Sequence, residues 1–206
     1  MVRSGRPRNS SVEDNIVQAM AELVAERGYA FVTVDQVVAR AGTNKPAFYR
    51  RFKHLAEVVP RILVSRHGTD DDIDTGTLVG DLTEAQDRQR NLFTDPVVTR
   101  GFAGWLAHIE ADPEAGALFF RDYLAPRRAY TGVILDRAVH RGEIAATVDP
   151  AWIADLLTGP LVMRVAMPGL PPINDVLIAQ TIHATLDVLG FQGDRQGLKG
   201  IAQEHK

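Results

Sequence analysis

The stretch Thr33-Val-Asp-Gln-Val-Val-Ala-Arg-Ala-Gly-Thr-Asn-Lys-Pro-Ala-Phe-Tyr-Arg-Arg-Phe52 decides the reading of this chain. It predicts two short helices joined by a tight turn. Thr33 is a helix-start residue with Gln36 three positions on, the spacing of a capping box. Val34, Val37, Val38 and Ala41 then form a short apolar face, and Gly42 closes it. Thr43 and Asn44 cap the second helix, whose first turn accommodates Pro46. Phe48 and Phe52 share its inner face, while Lys45, Tyr49 and Lys53 recur at i, i+4, i+8 on the outer one. An apolar back with a basic, aromatic front is what a helix-turn-helix requires, because the front must offer donors to a major groove about 12 Å wide. Lys and Arg read guanine edges or bind phosphate, and a Tyr hydroxyl or a helix N-terminal amide reaches phosphate. Spacing alone leaves a second reading open, a structural hairpin with a solvated basic face.

Upstream, Ser10-Ser11-Val12-Glu13 reads as another capping box, with Glu13 reaching back to the Ser10 amide. Ile16, Val17, Met20, Leu23 and Val24 trace an amphipathic stripe that ends at Gly28, so a first helix runs to about Arg27. Residues 1–9 form a polar arm with three arginines. The arm either enters a narrow minor groove or is a solubilising tail. Downstream, a fourth helix covers about 55–67, and the acidic segment 68–80 reads as a solvated connector. Helical periodicity continues over 81–94, 96–111, 113–141, 149–166 and 173–190, with breaks at Asp112-Pro113, Asp149-Pro150 and Pro171-Pro172. Residues 191–206 are Gly-rich and polar and read as a flexible tail. The expected architecture is all-α: a helix-turn-helix unit over 10–54, then a larger helical bundle over 55–190 for ligand binding and dimerisation.

Bulk composition agrees. The 206 residues are 45% hydrophobic, enough for a sizeable core without staples. There is no cysteine, which excludes disulfides, thiolate metal sites and cysteine nucleophiles. Residues 1–66 carry eleven Lys/Arg against six Asp/Glu, or +5, while the remainder carries twelve against twenty, or −8. A basic first third on an acidic body points to a polyanion at one end only. No run approaches the ~20 apolar residues of a membrane span, and no signal peptide is visible, so a soluble cytoplasmic protein is expected.

An enzyme is not expected. Serine occurs only at 4, 10, 11 and 65, leaving none in the C-terminal body. The six histidines are dispersed, with no second histidine at i+3 or i+4 to make a metal face. His108, near Glu110 and Asp112, comes nearest to a cluster. No phosphate loop or dinucleotide glycine motif appears. Neither a metal nor a cofactor is expected.

The segment 33–52, with its helix-start Thr, Ala-Gly turn and Tyr-Arg-Arg-aromatic end, resembles the DNA-binding signature of the TetR/AcrR family, over roughly residues 15–60. The resemblance implies that Thr33 and Tyr49 meet phosphate, that Lys45, Pro46 and Ala47 face bases, and that Arg50 and Arg51 lie on base edges or backbone. Thr43 and Asn44, at the helix start, complete the set. The family's Lys after the aromatic is replaced here by Leu55, with Lys53 or His54 as substitutes. Asp74–Leu82, Ala125–Arg128, Ala138–Glu143 and Asp155–Leu161 resemble, more weakly, one subgroup of the family's C-terminal domains. That resemblance implies a homodimer with a small-molecule effector and an operator in double-stranded DNA. Ile153, Leu156, Leu157, Pro160 and Leu161, with Ile178, Ile182 and Leu186, form broad apolar faces expected at a four-helix dimer interface. Phe102, Trp105, Phe119, Phe120, Tyr123, Tyr130 and Met163 are the candidate lining of an effector pocket, with ordinary core as the alternative. A DNA-binding architectural protein without an effector is the competing function.

Overall fold

The computed structural model describes residues 11–145, 148–195 and 198. Among them there are helices and no strand. Helix α1 spans Val12–Arg27, α2 Val34–Arg40, α3 Lys45–Tyr49 and α4 Val58–His67. Then come α5 (Leu78–Thr94), α6 (Pro96–Ala111), α7 (Pro113–Phe119), α8 (Ala125–His140), α9 (Pro150–Ala166) and α10 (Asp175–Val188). Short 3-10 turns at Tyr29–Phe31 and Leu55–Glu57 precede α2 and α4.

The caps show why the first elements begin where they do. Thr33 Oγ1 accepts from Gln36 N at 3.4 Å and Gln36 Oε1 accepts from Thr33 N at 3.0 Å, the expected reciprocal box. Asn44 Oδ1 accepts from Ala47 N at 2.9 Å. At α1 the box is one residue later than expected: Ser11 caps, and Asp14, not Glu13, returns the bond to its amide at 3.0 Å. Either serine can cap, and Ser11 places both Glu13 and Asp14 in the first turn, against the positive end of the helix dipole.

Two apolar cores share the chain. The first gathers Ile16, Met20 and Val24 with Val37, Phe48 and Phe52, and adds Val58, Ile62, Val97 and Trp105. Three short helices bury too little surface alone, so α4 and α6 finish their core, and residue 54 is not a packing boundary. The second core joins α5, α8, α9 and α10 around Leu82, Ile134, Leu157 and Ile182. Within it Gln86 Nε2 donates to Leu157 O at 3.0 Å and to Thr181 Oγ1.

The expected single helix over 113–141 is divided by a wide π turn at Phe120–Leu124, where Ala125 N donates to Phe120 O five residues back. Pro126 explains it. Proline has no N–H for the carbonyl of Asp122, and its ring would crowd that carbonyl in a regular α-helix.

Three further expectations are corrected. The 68–80 segment is docked rather than solvated: Ile73 is 1% exposed, and Asp70 is buried at φ 64° and paired with Arg127. Thr75 N and Oγ1 both donate to the fully buried Asp81, at 2.7 and 2.8 Å. In the tail, Phe191 and Leu198 are buried and Arg195 pairs with Asp187 at 2.6 Å, because a terminal helix with an apolar inner face can recruit the residues after it. Residues 196, 197 and 199–206 lie outside the described residues, as does the 1–9 arm. Third, Ile153, Leu157, Leu161, Ile178, Ile182 and Leu186 are 0–3% exposed inside the chain's own core, so they are not available to a partner. Leu156 and Pro160 are half-buried on the outer side. No helix among the described residues is long and apolar enough to cross a membrane.

Candidate DNA-binding surface and ligand cavity

Helix α3 is five residues long, and its register sorts the side chains into two sets. Phe48 is fully buried and Phe52 nearly so, anchoring the helix in the first core. Asn44, Lys45, Pro46, Tyr49 and Arg50 are exposed, and Thr33 joins them from the start of α2. Lys45 Nζ rests 2.8 Å from Asp35 on α2, an exposed pair whose ammonium remains charged well above neutrality. Arg51 Nη1 donates to Ala47 O at 2.9 Å, which folds its guanidinium back along the helix. Thr43 is half-buried in the turn, where its amide donates to Val38 O.

Three residues of the expected set stand apart. Ala47 is buried under the helix, because it falls one position before Phe48 on the side packed against α1 and α2. Lys53 is exposed but bonded to Glu114 at the start of α7, at 2.6 Å. His54 turns inward to Asp112, with Nε2 3.2 Å from Oδ2. The stretch after Phe52 therefore faces the C-terminal bundle.

Behind this surface lies a cavity of about 460 Å³, walled mostly by apolar side chains, with Asp70 and Arg127 at its edge. Phe102, Trp105, Phe119, Phe120 and Tyr123 line it, as expected. Trp105 and Phe119 meet edge to face at 4.2 Å between ring centroids, and Phe119 continues to Tyr123 at 5.4 Å. Tyr130 and Met163 do not line it. Tyr130 donates to Ile73 O at 2.9 Å and takes a bond from Arg137, and Met163 is 52% exposed on the outer face of α9. The remaining wall includes Leu106 and Ile109, at helical spacing from Phe102 and Trp105, so α6 presents a continuous stripe. Gln89, Thr131 and Thr158 add polar groups from α5, α8 and α9. Sequence reasoning missed these three, since lone polar residues in apolar stripes carry no local signal.

Residues of this wall carry unsatisfied polar atoms. Trp105 Nε1, Tyr123 OH, Tyr29 OH, Gln89 Oε1 and Asp70 Oδ1 are buried with no hydrogen-bond partner among the described residues. Burial pushes the Tyr123 phenol up to about 12, so it is a neutral donor at physiological pH. Burial also raises the Asp70 carboxyl, against the pull of Arg127 and Arg88. Val24 and Tyr29, of the first core, line the same cavity.

The chain that carries this helix-turn-helix face and cavity is similar to known proteins along most of its length. Residues 16–59 match the model of the bacterial regulatory proteins of the tetR family, and residues 72–185 match that of the tetracyclin repressor-like C-terminal domain. The chain belongs to the TetR family. It is 31% identical over 180 residues to an uncharacterised HTH-type transcriptional regulator of Mycobacterium tuberculosis, covering 85% of this chain and 84% of the relative. A DNA-binding transcriptional repressor TetR of Mycobacteroides abscessus is 29% identical over 200 residues, covering 95% and 100%. In the solved structure of another TetR family transcription regulator, 22% identical, the fold superposes with a TM-score of 0.70 over 85% of this chain and 97% of that one. This TetR-family chain is thus a DNA-binding transcriptional regulator built from a helix-turn-helix and a helical C-terminal domain.

Proposed function

We propose that the protein is a ligand-released repressor that binds a palindromic operator as a homodimer in the cytoplasm. The cavity carries the ligand half of this reading. It is large enough for a drug-sized molecule and mostly apolar, with a few polar side chains in its wall, which is the usual character of an effector site. The wall suits a flat, mostly apolar guest; Trp105 Nε1, Tyr123 OH and Gln89 Oε1, unpaired but covered, become its partners where it displaces the side chains over them. Because Val24 and Tyr29 share the wall, a guest presses directly on the unit that carries α2 and α3. Release follows only as far as the guest prefers the non-binding conformer.

The outer face of the last two helices supports the homodimer. Trp152, Leu156, Gly159, Pro160 and Met163 follow one another along α9, with Met167 just past its end, and Val176, His183, Ala184 and Val188 along α10. Trp152, Met163, Met167 and Val188 are 45–53% exposed, an apolar stripe suited to a second copy of itself. Two copies place two α3 helices about 34–36 Å apart when bound in successive major grooves. Thr33, Asn44, Lys45, Tyr49, Arg50 and Arg51 make the contacts on each half-site. The competing reading, an architectural protein without an effector, is disfavoured by the cavity itself.

The test is selection of bound sequences from a random DNA pool, followed by a screen of aromatic and lipophilic compounds for release of the selected site. A pseudo-palindrome released by at least one such compound supports the reading. Enrichment of no sequence over bulk DNA removes the operator, and an operator that no compound releases favours the architectural alternative.

A further inference from the structure

His54, His108 and Asp112 come from opposite halves of the chain and meet beside the recognition unit. His54 lies in the loop between α3 and the 3-10 turn before α4. His108 is in the last turn of α6, and Asp112 caps α7. One potential ligand atom from each residue lies within 4.8 Å of the other two. His54 Nε2 is 3.2 Å from Asp112 Oδ2, and the two imidazole centroids are 5.9 Å apart. Asp112 Oδ1 is committed to the amides of Glu114 and Ala115, so Oδ2 is the oxygen left for a ligand. His54 Nδ1 is buried with no hydrogen-bond partner among the described residues. Glu57 Oε1, 3.9 Å from His54 Nε2, brings a second carboxylate to the edge of the group.

From this convergence we infer that His54, His108 and Asp112 form a site for a divalent transition-metal ion that clasps the recognition unit to the C-terminal domain. Two imidazoles and one carboxylate suit Zn²⁺ and its neighbours in the first transition row, whereas Mg²⁺ and Ca²⁺ prefer oxygen throughout. With metal–ligand bonds of about 2.0–2.2 Å, tetrahedral donors stand about 3.4 Å apart, so closure asks about 1 Å of movement. All three side chains are half-buried rather than sealed in the core, which leaves room for that movement. Local spacing hides the site, because residue 54 is far from 108 in the chain.

The position gives the ion a regulatory consequence. His54 follows the buried anchor Phe52, while Ile109, one residue after His108, lines the cavity. The Lys53–Glu114 pair crosses the same seam. A bound ion holds one arrangement of the two halves, so it changes operator affinity by the ratio of its own affinities for the DNA-binding and released forms.

Tag-free, chelator-treated full-length protein is titrated with Co²⁺, whose visible absorption reports low-symmetry nitrogen and oxygen coordination, and the Co²⁺ is then displaced with Zn²⁺. One ion per protomer, with low-micromolar saturation, is expected. His54→Gln, His108→Gln and Asp112→Asn should each weaken binding at least about tenfold, since even outer partners of a metal cost that much. Asp112→Asn keeps the Oδ1 cap, and thermal melts of all three variants confirm folding. Operator affinity should shift by threefold or more on adding Zn²⁺ to wild type and not to His108→Gln, roughly the lower end of allosteric couplings. Absence of saturable binding, or binding undiminished in folded His54→Gln and His108→Gln, overturns the site and leaves an interdomain ion pair only. Metal binding without any change in operator affinity overturns the regulatory consequence. The metal titration needs no DNA, so its result stands apart from the fate of the operator reading.

Discussion

Gly104 of α6 passes so near Ala30 that a Cβ on the glycine would stand 3.1 Å from the Ala30 amide nitrogen and 3.2 Å from its Cβ. One turn earlier Gly101 meets Val24 in the same way, with 2.9 Å to Cγ1. These contacts seat α6, the longest wall of the cavity, directly on the DNA-binding unit, and Arg100 reinforces them by donating to Glu26 O at 2.9 Å. Gly104→Ala gains about 1 kcal/mol of helix propensity and loses a comparable amount to the tight backbone contact, so its stability should stay near wild type. Gly104→Leu has no such balance. It should cost about 1–3 kcal/mol in chemical denaturation and lower operator affinity, read by fluorescence anisotropy.

Tyr123 offers a sharper test of the cavity. Its hydroxyl is buried and unpartnered, so Tyr123→Phe removes a desolvation cost and should leave stability unchanged or raise it by up to about 1 kcal/mol. Affinity for a releasing compound should fall about tenfold, as expected for one lost hydrogen bond to a buried group. Calorimetry of the variant with that compound decides it; unchanged affinity would remove the Tyr123 hydroxyl from the site.

On the DNA side, Lys45 and Tyr49 are exposed and carry little of the core, so Lys45→Ala and Tyr49→Ala should melt like wild type. Each should weaken operator binding by about 1–2 kcal/mol, and if Lys45 holds a phosphate, its loss also lowers the salt slope of binding by about 1. Asp35→Ala, which frees the Lys45 ammonium from its pair, should act in the opposite direction.

Acid sensitivity should trace in part to His67. Burial pulls its imidazole below its ordinary value, although Asp95, 3.0 Å away, opposes the shift. The folded form therefore takes up its proton at lower pH than the unfolded form. Stability from this group is complete above about pH 6.5, the unfolded value, and is lost as pH falls towards the folded one. Urea unfolding at pH 7.5 and 5.5 should show this loss, and His67→Gln should shrink it.

The proposed homodimer would assemble through the outer stripe of α9 and α10. Met163→Arg places a charge in that stripe and, at 52% exposure, should leave the protomer folded. Light scattering should then report the monomer, with operator affinity down by orders of magnitude. A dimer of unchanged stability would move the interface elsewhere.

The sequence was most legible where structure is fixed locally. Thr33 with Gln36, Asn44, and Gly42 at φ 64° define the helix-turn-helix within a dozen residues, and Asp112-Pro113 marks the end of α6 where it falls. Legibility failed where long-range partners decide. Asp70 reads as a solvated acid until Arg127 is brought to it. Helices α9 and α10 are apolar on both sides, so periodicity could not tell that Ile153, Leu157 and Leu161 turn inward while Trp152 and Met163 turn outward. Of the seven residues expected around a pocket, five line the cavity, whereas Tyr130 and Met163, both beyond the π turn, face away from it.

That π turn sets a rule for how this wall can vary. A five-back bond holds one residue more than a regular turn, and the turn absorbs it, so α8 leaves in nearly the register that a continuous helix would give. With Pro126 in place, excision of a single residue between Phe120 and Leu124 would not fuse α7 and α8: the tighter turn would press the proline ring on the carbonyl four residues back. Arg127, which holds Asp70, and Arg137, which holds Ile73 O, lie on the helix that this proline opens, so a kink there would loosen the docked connector from a distance. Substitutions can retune this wall one side chain at a time; a change of length at the π turn acts through the proline on all that α8 holds.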